Sequence, residues 1–154
     1  MNIYYLDSSA ALKRYMDEIG SVWLRATVDV ALSPILFVSS LLIVEVTSAL
    51  NRGLREGTLT PTDYTLTQNA LRGDCLNEYK LIPPTGAILE SACSLLERHP
   101  LRAYDAVQLA SALVAQQFLR DRSYPALTFL CSDDHLNAAA TAEGLQVDNP
   151  NHHP

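Results

Sequence analysis

The sequence predicts an α/β fold, a three-layer α/β/α sandwich built on a central, mainly parallel sheet of four to five strands. Three observations carry that expectation. Short apolar runs without polar alternation recur along the chain, amphipathic stretches of helical length separate them, and the runs break at small polar or acidic residues that open the next helix. Strands buried on both faces read as uniformly apolar, and a helix between successive strands is the crossover that parallel pairing needs.

Taken in order, Asn2 to Leu6 is the first apolar run, and Asp7-Ser8-Ser9 supplies three N-cap residues before the amphipathic stretch Ala10 to Met16. This reads as strand, tight turn, helix. Gly20 to Val30 reads as a second short helix, Ile35 to Ser39 after Pro34 as a buried strand, and Ser40 to about Arg55 as a helix closed by Gly57. A polar helix is expected after Thr60, with Pro61 at its first position and Asp63 in its first turn, fading near Gly73. Lys80 to Pro83 is a minimal strand. Helices follow over Thr85 to Arg98 and Arg102 to Leu119, parted at His99-Pro100 because a residue before proline is disfavoured in the helical region. Leu127 to Cys131 is the clearest strand. It breaks at Ser132-Asp133-Asp134, a helix runs on to Glu143 with Gly144 just beyond it, and Leu145 to Val147 supplies a last strand. Residues 1–150 are expected to form one domain and 151–154 a short tail.

Composition narrows the function classes. A chain of 154 residues is the size of one domain, and 48% hydrophobic against 18% charged residues describes a packed globule, not a disordered segment. The net charge of -6, from 11 bases and 17 acids, excludes a globally basic nucleic-acid binder but not a local basic patch. Cys75, Cys93 and Cys131 are odd in number and form no C-x-x-C, which argues against a disulfide framework or a zinc knuckle and for a reducing compartment. An acid at position 7 without a basic segment before it is unlike a secretory signal. The most apolar stretch, Val30 to Val44, holds Pro34 and falls short of the roughly 18 residues of a spanning helix. The expected location is cytoplasmic, with no membrane association.

Four acids stand out. Asp7 and Asp133 each follow an apolar strand and precede a helix, the position where open parallel sheets collect functional groups, although either could be a plain helix cap. Glu45 interrupts Leu41-Leu42-Ile43-Val44-Glu45-Val46, with Leu41, Leu42 and Ala49 on its helical neighbour positions. An acid in such company needs a cation, a proton or the rim of a cleft. Asp105 lies in a first helical turn three residues after Arg102. As a set, four acids near four helix starts suit a hard divalent cation, which takes carboxylate oxygens and relieves their repulsion. Setting the four aside leaves 13 acids against 11 bases, so such an ion would make phosphate binding electrostatically feasible.

These residues resemble the PIN-domain nucleases, and among them the VapC-like toxins of type II toxin–antitoxin pairs. The matching segments are Tyr-Leu-Asp7-Ser-Ser-Ala-Ala-Leu-Lys-Arg-Tyr, Ser-Ser-Leu-Leu-Ile-Val-Glu45-Val-Thr-Ser-Ala-Leu-Asn-Arg, Leu-Arg-Ala-Tyr-Asp105-Ala-Val-Gln-Leu-Ala-Ser-Ala-Leu and Phe-Leu-Cys-Ser-Asp133-Asp-His-Leu-Asn-Ala-Ala-Ala-Thr-Ala-Glu-Gly-Leu. The resemblance implies that Asp7, Glu45, Asp105 and Asp133 form an acidic catalytic quartet binding Mg²⁺ or Mn²⁺, with Asp7 and Asp105 the foremost ligands. It implies endoribonuclease activity, hydrolysis of RNA phosphodiesters in which the ion activates water and stabilises developing charge. It also implies a small antitoxin partner and a homodimer, with Val22 to Val30 and the flanks of Ser40 to Arg55 as candidate surfaces. Lys13, Arg52 and Arg102 are candidate RNA contacts. Cys131 departs from the family's usual Ser or Thr ahead of the last acid and puts a hydroxyl contact there in doubt.

Other readings remain open at this point. Aspartyl-nucleophile phosphatases place a second Asp two residues after the first, where this chain has Ser9, and receiver domains carry their acid pair after the first strand, whereas Asp133-Asp134 comes near the end. A PIN-like binding or regulatory module with weak catalysis, and a nuclease that processes RNA or single-stranded DNA without being a toxin, are alternatives that only an assay separates.

Overall fold

The computed structural model describes residues 1–154 and shows five strands, all parallel, in the order β3-β2-β1-β4-β5. These are β1 (Ile3–Leu6), β2 (Ile35–Ser39), β3 (Tyr79–Ile82), β4 (Thr128–Leu130) and β5 (Gln146–Asp148). Seven helices cover them: α1 (Ser8–Tyr15), α2 (Ser21–Thr27), α3 (Leu42–Glu56), α4 (Pro61–Asn77), α5 (Gly86–Arg98), α6 (Ala103–Asp121) and α7 (Asp134–Ala142). The expected three-layer sandwich is what forms.

Each strand supplies both faces because successive side chains point to opposite sides. Tyr5 and Phe129 pack with α5, α6 and α7, their rings stacked with centroids 5.6 Å apart, while the adjacent Leu6 and Leu130 pack with α1 to α4. The chain winds outward from β1 through β2 to β3, then returns to place β4 on the other side of β1. Strand order therefore reverses between β1 and β4. A crevice opens at that reversal, outside the carboxyl ends of the strands.

Several boundaries differ from expectation for local reasons. The second helix stops at Thr27, because Asp29 accepts from the Ala31 amide and starts a separate 3₁₀ turn, Val30–Leu32. α3 begins at Leu42, two residues late, with the Ser39 hydroxyl oxygen accepting from the Leu41 amide in the turn before it. α4 does not fade at Gly73 but continues to Asn77. A mid-helix glycine costs about 1 kcal/mol relative to alanine, and the following turn is held by contacts outside the helix. Tyr15 donates to Asp74 (2.6 Å), Arg14 bridges Asp74 and Glu78, and Cys75 packs on the core. β3 ends at Ile82, one residue before Pro83, which has no amide hydrogen to offer a ladder.

The C-terminal residues are docked against α2. Asn149 caps a 3₁₀ turn over Pro150–His152, and His153 stacks on Trp23 with ring centroids 4.0 Å apart. Gly20, at φ +81°, permits that approach, since a Cβ there would lie 2.1 Å from the Pro150 carbonyl oxygen. No helix of the chain is long and apolar enough to cross a membrane.

Candidate active site at the carboxyl ends of the strands

Asp7 leaves the end of β1 and caps α1. Its Oδ1 accepts from the Ala10 amide (3.0 Å) and the Ser9 hydroxyl (2.6 Å), and its Oδ2 accepts from the Cys131 thiol (3.3 Å). The carboxyl is nearly inaccessible. Burial pushes its pKa above the ordinary value, the three donors oppose that, and the charge of Asp105 adds to the rise. The expected helix cap is therefore what Asp7 forms, at the carboxyl end of β1.

Asp133 plays the same structural part on the other side of the reversal, capping α7 through Oδ1, which accepts from the His135 amide (2.8 Å) and the Leu136 amide (3.4 Å). Ser9 couples the two turns. Its hydroxyl donates to Asp7 and accepts from the Ser132 amide at 2.9 Å. Cys131 completes the link: its Sγ donates to Asp7 and accepts from the Asp133 amide at 3.3 Å. Burial, and then the charge of Asp7, push the thiol pKa far up, so it stays protonated and serves as a donor. The residue that departs from the family's usual Ser or Thr thus ties Asp7 to the Asp133 turn.

Glu45 stands in the first turn of α3, half-buried. Its pKa is pushed up to about 8, first by burial and then by the charges of Asp7 and Asp105. That mutual repulsion places three of the four acids within electrostatic reach of one another. Asp105, in the first turn of α6, accepts from Arg102 Nε (3.1 Å), and the other arm of the same guanidinium lies 3.7 Å from Asp133. Arg102, 83% exposed at its side chain, thus lies across the mouth of the crevice as a local counter-charge. Leu101, Arg102, Asp105, Asp133 and His135 line an open cavity there of about 350 Å³.

Nowhere in the chain do three or more His, Cys, Asp or Glu side chains come close enough together to hold an ion in common. The donor set nevertheless suits a hard divalent cation: carboxylate oxygens only, two of the carboxyls with pKa values raised by burial and by neighbouring carboxylates, and one exposed arginine as counter-charge. Like charges in a low-dielectric crevice stay apart until a cation offsets their repulsion.

Two of the three bases expected near RNA are elsewhere. Lys13 is buried, not exposed: it lies on the packed side of α1, 3% accessible, with its Nζ 3.2 Å from Glu18. Arg52 is exposed but two helical turns beyond Glu45, beside Glu18 and Glu56. Only Arg102 reaches the acids.

One polar neighbour of Glu45 was not among the residues singled out from the sequence. Gln108, one turn after Asp105 on α6, is 2% exposed and touches three other elements. The available signal was the kind that exposed Glu45, a polar residue inside the apolar run Ala106-Val107-Gln108-Leu109-Ala110.

Comparison with known proteins agrees with this architecture. Residues 4–119 match the family model described as PIN domain. No curated protein matches this chain in sequence. Among solved structures, FitAcB from Neisseria gonorrhoeae is similar with TM-score 0.64 at 14% identity, covering 97% of this chain and 99% of that one. VapBC2 from Rickettsia felis, bound to a DNA fragment from their promoter, is similar with TM-score 0.63 at 11% identity, covering 96% and 98%. Mycobacterium tuberculosis VapC20, described as a sarcin-ricin loop cleaving toxin, is similar with TM-score 0.60 at 17% identity, covering 90% and 95%.

Proposed function

The chain belongs to the PIN-domain family, and from that premise we propose that it is a metal-dependent endoribonuclease, the toxin of a toxin–antitoxin pair. One observation supports this most: at the strand-order reversal, where Asp133 also arrives, the charges of Asp7 and Asp105 add to the rise in the Glu45 pKa, and the charge of Asp105 adds to that of Asp7, although the three acids come from separate elements. Structural caps have no reason to converge.

In this reading Asp7 and Asp105 hold Mg²⁺ or Mn²⁺, with Glu45 and Asp133 completing the quartet. The bound ion would supply Lewis acidity, activating water and offsetting charge on the phosphate. Glu45 is suited to proton transfer because its pKa of about 8 lies close to working pH. Gln108 donates to its Oε2, which leaves Oε1 to take the proton. Asp7 is held in place by three donors to its two carboxylate oxygens. Arg102 is free to swing from the acids to an RNA phosphate, and Arg52 is a more distant candidate along α3.

A cytoplasmic location and a small antitoxin protein belong to the same reading, supported by the likeness to VapBC2 and FitAcB. Exposed Val22 and Val30 near α2, and Ile43 and Val44 on α3, support apolar surfaces for the antitoxin and a homodimer. The test is incubation of purified protein, freed of partners, with structured and unstructured RNA in Mg²⁺, Mn²⁺ or EDTA. Cleavage that EDTA abolishes is expected, and cleavage undiminished in EDTA sinks the mechanism. No cleavage of any RNA would favour a binding module. Growth arrest on expression, relieved by Asp7→Asn, is expected of a toxin, whereas normal growth with active protein would indicate a processing nuclease.

A further inference from the structure

Gln108 is a buried amide whose hydrogen bonds reach three other elements of the site. From α6, its Oε1 accepts from the Tyr5 hydroxyl of β1 (2.7 Å), and its Nε2 donates to the Ser8 hydroxyl of α1 (2.9 Å) and to Glu45 Oε2 of α3 (3.3 Å). An amide in that position can be turned either way, and Tyr5 decides which. Tyr5 is fully buried, and its hydroxyl donates to Oε1 at 2.7 Å, which holds the amide oxygen toward the core. The NH₂ group must then face outward, with its two hydrogens shared between Ser8 and Glu45. The reverse orientation would set the amide oxygen against the Glu45 carboxylate.

We infer that Gln108 is a positioning residue that holds the Glu45 carboxylate in register with the Asp7 turn. Ser8 immediately follows Asp7, so one rigid amide sets the distance between two acids on different helices, and Tyr5 anchors that amide to the central strand. The inference rests on the reading of the crevice as a metal-dependent nuclease site, and goes beyond it in assigning a role to a residue outside the acidic quartet. Groups that orient ligands in this way commonly cost 10–100-fold in metal affinity or activity when removed.

The decisive variant is Gln108→Met, which keeps the shape of the side chain and removes its donors and acceptor. At saturating RNA, kcat is expected to fall about 10–100-fold with KM for RNA unchanged. The metal-free melt is expected to fall, because the buried Tyr5 hydroxyl loses its acceptor, and the rise produced by Mn²⁺, measured from each protein's own metal-free melt, is expected to shrink. Tyr5→Phe, which deletes only the anchoring hydroxyl, is expected to show the same pattern more weakly, and it stands in if Gln108→Met fails to fold. A double variant with Glu45→Gln separates positioning from general support. If Gln108 acts through Glu45, adding Gln108→Met to Glu45→Gln lowers the Mn²⁺-induced shift no further. An equal additional loss in that background overturns the inference. If the parent fails to cleave RNA, the nuclease reading falls, yet the Mn²⁺ shift still decides Gln108: a smaller shift in Gln108→Met upholds it, and equal or absent shifts overturn it.

Discussion

Replacing Glu45 by Gln is expected to abolish a loss of stability that the metal-free protein suffers as pH rises from about 4.5 to about 8. The folded pKa of Glu45 is raised from 4.5 to about 8, by burial first and by Asp7 and Asp105 second. Between those two values the folded state binds more protons than the unfolded chain, so stability falls as pH climbs and levels off above the folded pKa. At about 1.4 kcal/mol per pKa unit, the full shift would amount to about 5 kcal/mol. Glu45 is only half-buried, however, and water screens a partly exposed charge, which brings the expected effect to about 1–2 kcal/mol. In a domain of this size each kcal/mol moves the melting temperature by about 2–4 °C, giving a drop of about 2–8 °C between about pH 4 and pH 9, relative to the Gln variant. The assay is thermal melting in EDTA across that range. Gln at position 45 can still accept from Gln108 through its amide oxygen, so the packing is preserved and only the titration is lost. The parent's curve should fall and the variant's should lie flat relative to it. Parallel curves would refute the claim that these acids share a field, and with it the strongest reason for treating the crevice as a site.

Other perturbations follow from the same geometry. Asp7→Asn should abolish cleavage while the metal-free melting temperature holds or rises, because Asn caps a helix about as well as Asp and the charge facing Asp105 is gone; Asp7→Ala should instead lose about 1 kcal/mol of capping in denaturant titrations. Asp105→Asn should likewise end cleavage, and Mn²⁺ should raise the parent's melting temperature more than that of either Asn variant, since an ion stabilises only the state that binds it. Arg102→Ala should change stability by less than about 0.5 kcal/mol, being a surface substitution, but raise KM for RNA several-fold in cleavage assays at low salt. Lys13→Met should leave that KM untouched, because the ammonium is buried against Glu18; an increase matching that of Arg102→Ala would return Lys13 to the substrate face.

Features that depend on neighbours within a few residues were legible in the amino-acid chain. Helical and strand periods, caps such as Asp7, Thr60 and Asp133, and the Pro61 and Gly57 punctuation lie within one or two turns of what they control. Uniformly apolar strands separated by helices were enough for a parallel three-layer fold, and a lone acid in an apolar helix was enough to single out Glu45. Only the tertiary structure decided which strands adjoin. The pairing of β1 with β4 unites Asp7 and Cys131, 124 positions apart, and no local pattern encodes that adjacency. The same holds for Gln108, whose partners Tyr5 and Ser8 are 103 and 100 residues away. Arg102 and Lys13 read alike as bases near acids, yet one spans the crevice and the other is buried, because the face of a short helix that meets the core is set by what packs against it. α4 outlasts Gly73 for the same reason: Tyr15 and Arg14 of α1 hold its last turn against its own propensity.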